Sequence, residues 1–518
     1  MANELPPLGM RPIHTLLNGL ADRGMRLHSL LVHRHGRTVL DLWQWPHEPS
    51  LKHKLHSATK SFTGTAVGFA EAEGLLRLDD PVVEHLGSRL AAPPSENLSR
   101  MRIRDLLTMQ TGQGRGLSGA TTRLRATGWV GEFLEEPVVE PPGRNFLYSS
   151  TTSHVLSAVV QEASGEPVDA YLRPRLFEPL GITDFTWDHD PEGVASGGNG
   201  LSLRPHDLLS FGVLHLQDGV WEGRRVLPTG WVQKASALHV RRAVSGEWNG
   251  RELVPPPADA AADSGYGYQF WTEETGIYNA SGIFGQECMV FPDHGGVVVV
   301  TGAMGEGTYH DLPGMLRRAF VAAFDSAYAD PADDAAEREA VRLWTGNAQK
   351  PRPLSSAARR RGFTATYDFD TNEQGLRSLS LAVSEDRVRI VLEDERGPHA
   401  IDHGVGHWLR QETRVSSWRL HHAYQDTSAL VLAGAEWSAD DDARLRLVWH
   451  FLESPFVDLI TLSLEPDGVT VEHRVNVNSG ATELPPVTGR LRGPAPLDGD
   501  SVVTDQLAPR LQSPVAKK

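Results

Sequence analysis

The chain changes its apolar rhythm once, and that change constrains its architecture more than any other feature. Up to about residue 328 the apolar positions recur mostly at helical spacing, with a few short strand-like runs. From 359 to 495 they alternate with polar ones in segments such as LRSLSLAV, RVRIVLEDERG, ARLRLVWHFLE and VDLITLSLEPDGVTVEHRV. Between the two lies an Ala/Asp/Glu-rich helical stretch followed by KPRPLSSAARRR, which reads as a connector over 329–358. The expectation is a mixed α/β (α+β) unit over 1–328, an antiparallel β domain over 359–495, either a barrel or a half-barrel, and a disordered tail over 496–518. A chain of 518 residues is long enough for each unit to bury its own core.

Within the first unit, helical spacing predicts helices over 12–20, 57–72, 103–109, 129–134, 153–162, 205–216 and 312–324. Two apolar runs around His35-Gly36-Arg37 predict a hairpin over 27–42. Strand character returns at 266–273, 288–292 and 296–301, where VVVVT lacks polar alternation and reads as a buried central strand. A sheet built from both ends of the unit, with a helical insertion between them, is the simplest assembly of these pieces.

Charge and composition exclude several functions. A net charge of -16, from 66 acidic against 50 basic residues, disfavours nucleic acid, whose binding needs a basic stripe. No apolar run approaches bilayer length and the first twenty residues lack a basic-then-apolar leader, so no membrane partner and a cytoplasmic location are expected. The single cysteine, Cys288, rules out an intramolecular disulfide and a Cys-rich metal site. His, Asp and Glu are not grouped at metal-ligand spacing; the nearest pair, Asp402-His403, reads as loop. HExxH and GxSxG are absent, so neither the zincin nor the α/β-hydrolase signature is available.

Three segments could carry chemistry. In His56-Ser57-Ala58-Thr59-Lys60 an extended LKHKLH run enters a helix, and a spacing of three puts Ser57 and Lys60 on one helical face. A serine hydroxyl needs a neighbour to take its proton, and a lysine made neutral by burial or nearby positive charge can do so. Of the seven lysines only Lys60 has a serine three residues before it; the alternative is a serine helix cap beside a surface lysine. Tyr148-Ser149-Ser150 precedes an amphipathic helix; Tyr148 could relay a proton to a leaving group and Ser150 could bond Lys60. In Tyr278-Asn279-Ala280-Ser281-Gly282-Ile283-Phe284-Gly285-Gln286, a Gly-containing strand could offer a backbone N–H that completes an oxyanion hole with the Ser57 amide. Ile283 is the expected donor, with Ser281 and Gly285 as near alternatives and with Gly282 and Gln286 beside it in the cleft. His53, His56 and His154 flank these motifs and read as structural or cleft-lining.

These segments, in this order, resemble the serine β-lactamase and penicillin-binding-protein superfamily, in its class C β-lactamase-like branch of esterases, amidases and D-peptidases. SATK matches the SxxK motif, and Tyr148-Ser149-Ser150 resembles Tyr-x-Asn with Ser in place of Asn. IRDLLTMQTG, PPGRNFLYSS, YLRPRLFEPLGITDFTW, GGNGLSLRPHDLLSFG and FGQECMVFP are similar to its recurrent phrases, so the resemblance spans about residues 12–328. It implies an antiparallel sheet flanked by helices with a helical subdomain across the cleft. It also implies an acyl-enzyme on Ser57, with Lys60 taking the serine proton and Tyr148 helping to protonate the leaving group. It leaves open which of Lys60 and Tyr148 is the principal base, and it implies no cofactor.

One departure bears on substrate. The superfamily's third motif carries Lys or His before Thr-Gly, whereas Ala280-Ser281-Gly282 has no cation here. A substrate carboxylate would lose a charge-assisted contact that contributes about 1.5–3 kcal/mol. The expected substrate is therefore a small, neutral ester or amide rather than a penicillin or a peptide C-terminus. Two alternatives stand beside hydrolysis: acyl transfer from the same acyl-enzyme, and a non-catalytic binding protein on the same fold.

Overall fold

The computed structural model describes residues 8–492 apart from 126–127, 246, 249–252, 255–264, 326–330, 347–361, 416, 425–426, 439–440 and 442. The expected tail over 496–518 and the KPRPLSSAARRR part of the expected connector lie outside the described residues.

Helix α1 (Met10–Asp22) feeds the hairpin β1 (Arg26–Arg34) and β2 (Arg37–Trp43), and a short 3-10 turn (His56–Ala58) leads into α2 (Thr59–Ala72). After several short helices come α3 (Ser150–Ser164) and α4 (Pro205–Leu216), then β3 (Gly265–Tyr266), β4 (Trp271–Thr272), β5 (Tyr278–Gly282), β6 (Gln286–Phe291) and β7 (Gly296–Ala303). The seven strands form one antiparallel sheet in the order β3-β4-β5-β6-β7-β1-β2, so both ends of the unit meet at the β7–β1 pair as expected. All eight residues of β7 are buried. Its side chains alternate between two cores: Val297 and Val299 face α2, α3 and α4, while Val298 and Val300 face α1 and α5 (Leu312–Asp325). This explains the unbroken VVVVT run, each valine of which contributes about 1.5–3 kcal/mol by burial.

Helix α2 is buried along almost its whole length, which its small residues permit. At Gly68 a Cβ would fall 2.3 Å from the Trp231 indole. The strand expected over 266–273 is two short strands around a bend at Gln269, whose φ is +65°. The bend persists because the Gln269 amide donates to the carbonyls of Leu106 and Leu107 and accepts from Ser153. Part of the expected connector is the helix α6 (Pro331–Gly346), which packs on α1 with Val341 buried.

The alternating segments form β8 (Phe363–Phe369), β9 (Ser378–Val383), β10 (Arg387–Asp394), β11 (Gly397–Val405), β12 (Leu409–Thr413), β13 (Ala429–Trp437), β14 (Arg444–Phe451), β15 (Val457–Glu465), β16 (Gly468–Val475) and β17 (Glu483–Leu491). They pair in the order β11-β10-β9-β8-β17-β16-β15-β14-β13-β12, and a parallel contact of Gly404-Val405 with Gly434-Ala435 closes the barrel. Asp402-His403 lies on β11 rather than in a loop. The His403 imidazole is buried, accepting from the Trp449 indole at 2.6 Å and donating to the Val388 carbonyl. The first unit and the barrel touch directly: Phe284, at the tip of the β5–β6 hairpin, joins the barrel's apolar cluster, and the Lys54 amide donates to the Glu453 carbonyl.

Candidate active site

Ser57 sits in the 3-10 turn ahead of α2, half-buried and reachable. Neither this turn nor α2 has a side-chain cap, so the helix-cap reading of Ser57 fails on geometry. Lys60, one turn on, is 1% exposed, and its Nζ has three partners: Ser57 Oγ at 3.0 Å, Ser150 Oγ at 3.2 Å and the Gly198 carbonyl at 2.7 Å. One carbonyl and two hydroxyls can serve a neutral amine, which gives its two N–H groups to the Gly198 carbonyl and Ser150 Oγ and has its lone pair available to the Ser57 proton. Burial, helped by the Arg123 charge, brings the Lys60 ammonium down to about 7.

Tyr148 lines the same pocket as Ser57. Its ring stacks on Trp271 at 5.5 Å, Lys60 Nζ lies 4.9 Å from its centroid, and its phenol is a hydrogen-bonding neighbour of the serine hydroxyl. Burial pushes the phenol well above its usual range, despite the serine contact, so Tyr148 is a proton donor at neutral pH.

The third segment lies where its glycine allows. A Cβ on Gly282 would come 2.2 Å from the Leu55 carbonyl and 3.2 Å from the Ser57 amide, so only glycine lets β5 run against the 3-10 turn. Ile283 follows directly and lines the pocket with Ser57, Tyr148 and Ser150. Ser281 donates to Glu287 Oε1 at 2.5 Å. Gln286, expected in the cleft, is instead fully buried beneath it. Its amide donates to the Ile283 and Gly302 carbonyls and accepts from the Gly302 N–H, because the hairpin must be tied to β7 from inside. Ala280 is buried in the core. His154 pairs with Asp190 at 3.0 Å and His53 with His28 at 2.9 Å, away from the pocket lining.

Several residues of the site were missed in the sequence. Gly198 supplies the Lys60 acceptor, and a Cβ there would lie 2.5 Å from the Ser150 carbonyl; the paired glycines of GGNG were its signal. Glu287 is fully buried, and desolvation raises its carboxyl to about 8 even though Ser281 and Asn279 donate to it. Its signal was a lone acid in the apolar strand QECMVF. The third group had no local signal: His422 and Tyr424 come from the barrel. Tyr424 donates its hydroxyl to the Asn199 carbonyl at 2.9 Å and accepts from His56 Nδ1 at 3.1 Å, while His422 lines the catalytic pocket. Among the described residues no helix is long and apolar enough to cross a membrane, and no group of His, Cys, Asp and Glu could hold a metal.

The fold is that of the β-lactamase-like serine hydrolases. The chain belongs to the Beta-lactamase family, whose sequence profile matches residues 15–322, more than half of it. It is 27% identical over 318 residues to a 6-aminohexanoate-dimer hydrolase of Paenarthrobacter ureafaciens, covering 58% of this chain and 76% of that protein. It is also 29% identical over 227 residues to penicillin-binding protein 4 of Amycolatopsis lactamdurans, covering 37% of this chain and 56% of that one. A crystal structure assigned as a β-lactamase from Bacteroides dorei DSM 17855 superposes with a TM-score of 0.50 at 17% identity, over 61% of this chain and 99% of the other.

Proposed function

We propose that the protein hydrolyses an ester or amide bond of a small, neutral substrate through an acyl-enzyme on Ser57. The reading rests on one observation, the 3.0 Å contact between Ser57 Oγ and a buried Lys60 amine whose other two partners are acceptors or hydroxyls. In the first step the Ser57 proton passes to Lys60 Nζ as Oγ bonds to the substrate carbonyl carbon. The carbonyl electrons move to oxygen, where the backbone N–H groups of Ser57 and Ile283 stabilise the charge. Collapse of this intermediate breaks the bond to the leaving group, which takes its proton from Tyr148 while Lys60 restores the Tyr148 proton. Water then attacks the acyl-enzyme ester carbon, giving its proton to Lys60, which returns it to Ser57 Oγ as the C–Oγ bond breaks and the acid product leaves.

The preference for a neutral substrate is supported by the missing cation at Ala280, which leaves a substrate carboxylate without a counter-charge. The Paenarthrobacter relative's name, 6-aminohexanoate-dimer hydrolase, supports hydrolysis but not the neutral-substrate preference, since such a dimer carries a free carboxylate. The test compares wild type with Ser57→Ala on short-chain p-nitrophenyl esters and on a chromogenic cephalosporin, with a fluorophosphonate adduct mapped by mass spectrometry. An adduct on Ser57 and ester turnover lost in Ser57→Ala are expected. Equal turnover by the two proteins would overturn the nucleophile, and faster turnover of the cephalosporin would overturn the substrate class.

A further inference from the structure

The barrel sends one loop, residues 417–424, to the catalytic pocket, and the polar groups of that loop are occupied in holding it there. On the barrel side, His421 Nε2 bonds the fully buried Asp458 at 2.6 Å, and its ring stacks on Phe456 at 4.2 Å. Asp458 also takes His473 at 2.9 Å and the Ser417 hydroxyl. The His422 amide donates to Asn478 Oδ1, and its Nδ1 meets the Ser479 hydroxyl. On the hydrolase side, Arg123 donates to the His422 carbonyl at 2.8 Å, and Tyr424 bridges Asn199 and His56. His422 and Ala423 both have positive φ, +51° and +58°, a backbone that non-glycine residues hold only when the surroundings over-determine it.

This loop has residues on two cavities. His422 lines the cavity that holds Ser57, Tyr148 and Ile283, whose volume is about 190 Å³. Ala423 and Tyr424 line a second cavity between the barrel and the hydrolase unit, of about 770 Å³. Pockets for drug-sized ligands run from about 300 to 1,000 Å³, so the second cavity is large enough for an extended group and the catalytic one is not. Ser479 occupies Nδ1, which leaves Nε2 as the remaining polar atom of the His422 ring.

We propose that residues 417–424 of the barrel are part of the substrate site, and that His422 limits the length of the group bound beside Ser57. The proposal rests on the acyl-enzyme reading. Short acyl groups fit against the imidazole; longer ones are blocked until its removal lengthens the cavity that holds Ser57.

The test uses the full chain with p-nitrophenyl acetate, butyrate and octanoate, and with methyl and octyl fluorophosphonates. The variants are His422→Gly and His422→Asn; both residue types tolerate the left-handed backbone, and both shorten the side chain. Wild type is expected to prefer acetate to octanoate by roughly tenfold or more in kcat/KM. His422→Gly is expected to raise the octanoate-to-acetate ratio of kcat/KM by about tenfold, through the KM for octanoate. A folded variant, judged by its melting transition and its methyl fluorophosphonate labelling, that keeps the wild-type length preference overturns the proposal. Equal kcat/KM for acetate and octanoate in wild type overturns it without any variant. Absence of a Ser57 adduct in wild type overturns the acyl-enzyme reading itself, and with it the subsite.

Discussion

His56, the residue before the nucleophile, donates from Nδ1 to the phenol of Tyr424, which stands 368 positions further along the chain, at 3.1 Å. Since Tyr424 donates in turn to the Asn199 carbonyl, the bond requires His56 to carry its proton on Nδ1. Burial holds the His56 ring well below its usual pKa, with the Lys54 charge acting in the same direction, so the ring is neutral across the working range. The turn that bears Ser57 is thus fastened to the barrel.

Replacing Tyr424 by Phe removes both bonds and leaves the buried Asn199 carbonyl without that donor. Such a loss costs about 1–3 kcal/mol. Because Asn199 follows the Gly198 carbonyl that holds Lys60, turnover should fall together with stability. Urea unfolding and ester kinetics on Tyr424→Phe check both; unchanged kcat with lowered stability would confine Tyr424 to a structural role.

The pH dependence of kcat/KM follows from Lys60. With its ammonium at about 7, the amine is protonated and inactive below that pH and neutral above it. Activity should rise with pH through about 7 and then level, because Tyr148, held well above the usual phenol range, stays protonated. Lys60→Arg cannot become neutral and should lose about 10²–10⁴-fold in kcat. A pH–rate profile of the wild type and a single-pH assay of the variant are sufficient.

Glu287 makes stability fall as pH rises. Its carboxyl goes from 4.5 in the unfolded chain to about 8 in the fold. Its contribution is fully present below 4.5 and is lost as pH climbs towards about 8, on the order of a few kcal/mol in total. Lys60 acts in a different window: its lowered pKa makes stability rise between about 7 and 10.5. Denaturant midpoints between pH 4.5 and 7 should therefore decline in wild type and be flatter in Glu287→Gln. Parallel curves would show that Glu287 is ionised in the fold.

Gly282→Ala should push β5 away from the Ser57 turn, since the new Cβ would meet the Leu55 carbonyl at 2.2 Å. The Ile283 amide would move with the strand. Loss of one oxyanion donor costs about 10²–10³-fold in kcat, with KM much less affected. Steady-state kinetics separate this from a folding defect, which would lower the active fraction titrated by fluorophosphonate.

How much was legible depended on whether a signal was local. Period and turn chemistry marked the hairpin, the helices and the barrel strands, because those elements form wherever one face can be buried. The strand expected over 266–273 failed because side-chain bonds from Gln269 to a distant helix end impose a bend that no local pattern encodes. Gln286 was expected in the cleft because it lies near Ile283 in sequence, but alternation along the hairpin turns its side chain inward.

Sequence alone determined that Ser57 and Lys60 share a helical face, that a glycine stands where β5 meets them, and that a β domain follows. These depend on spacing and on the conformational range of single residues. Only the tertiary structure decided that Lys60 is buried deeply enough to be neutral, that Glu287 lies behind Ser281, and that His422 and Tyr424 cross from the barrel to the pocket. Desolvation and hydrogen bonding act through space, and residues hundreds of positions apart come within 3 Å or so only once both cores have packed.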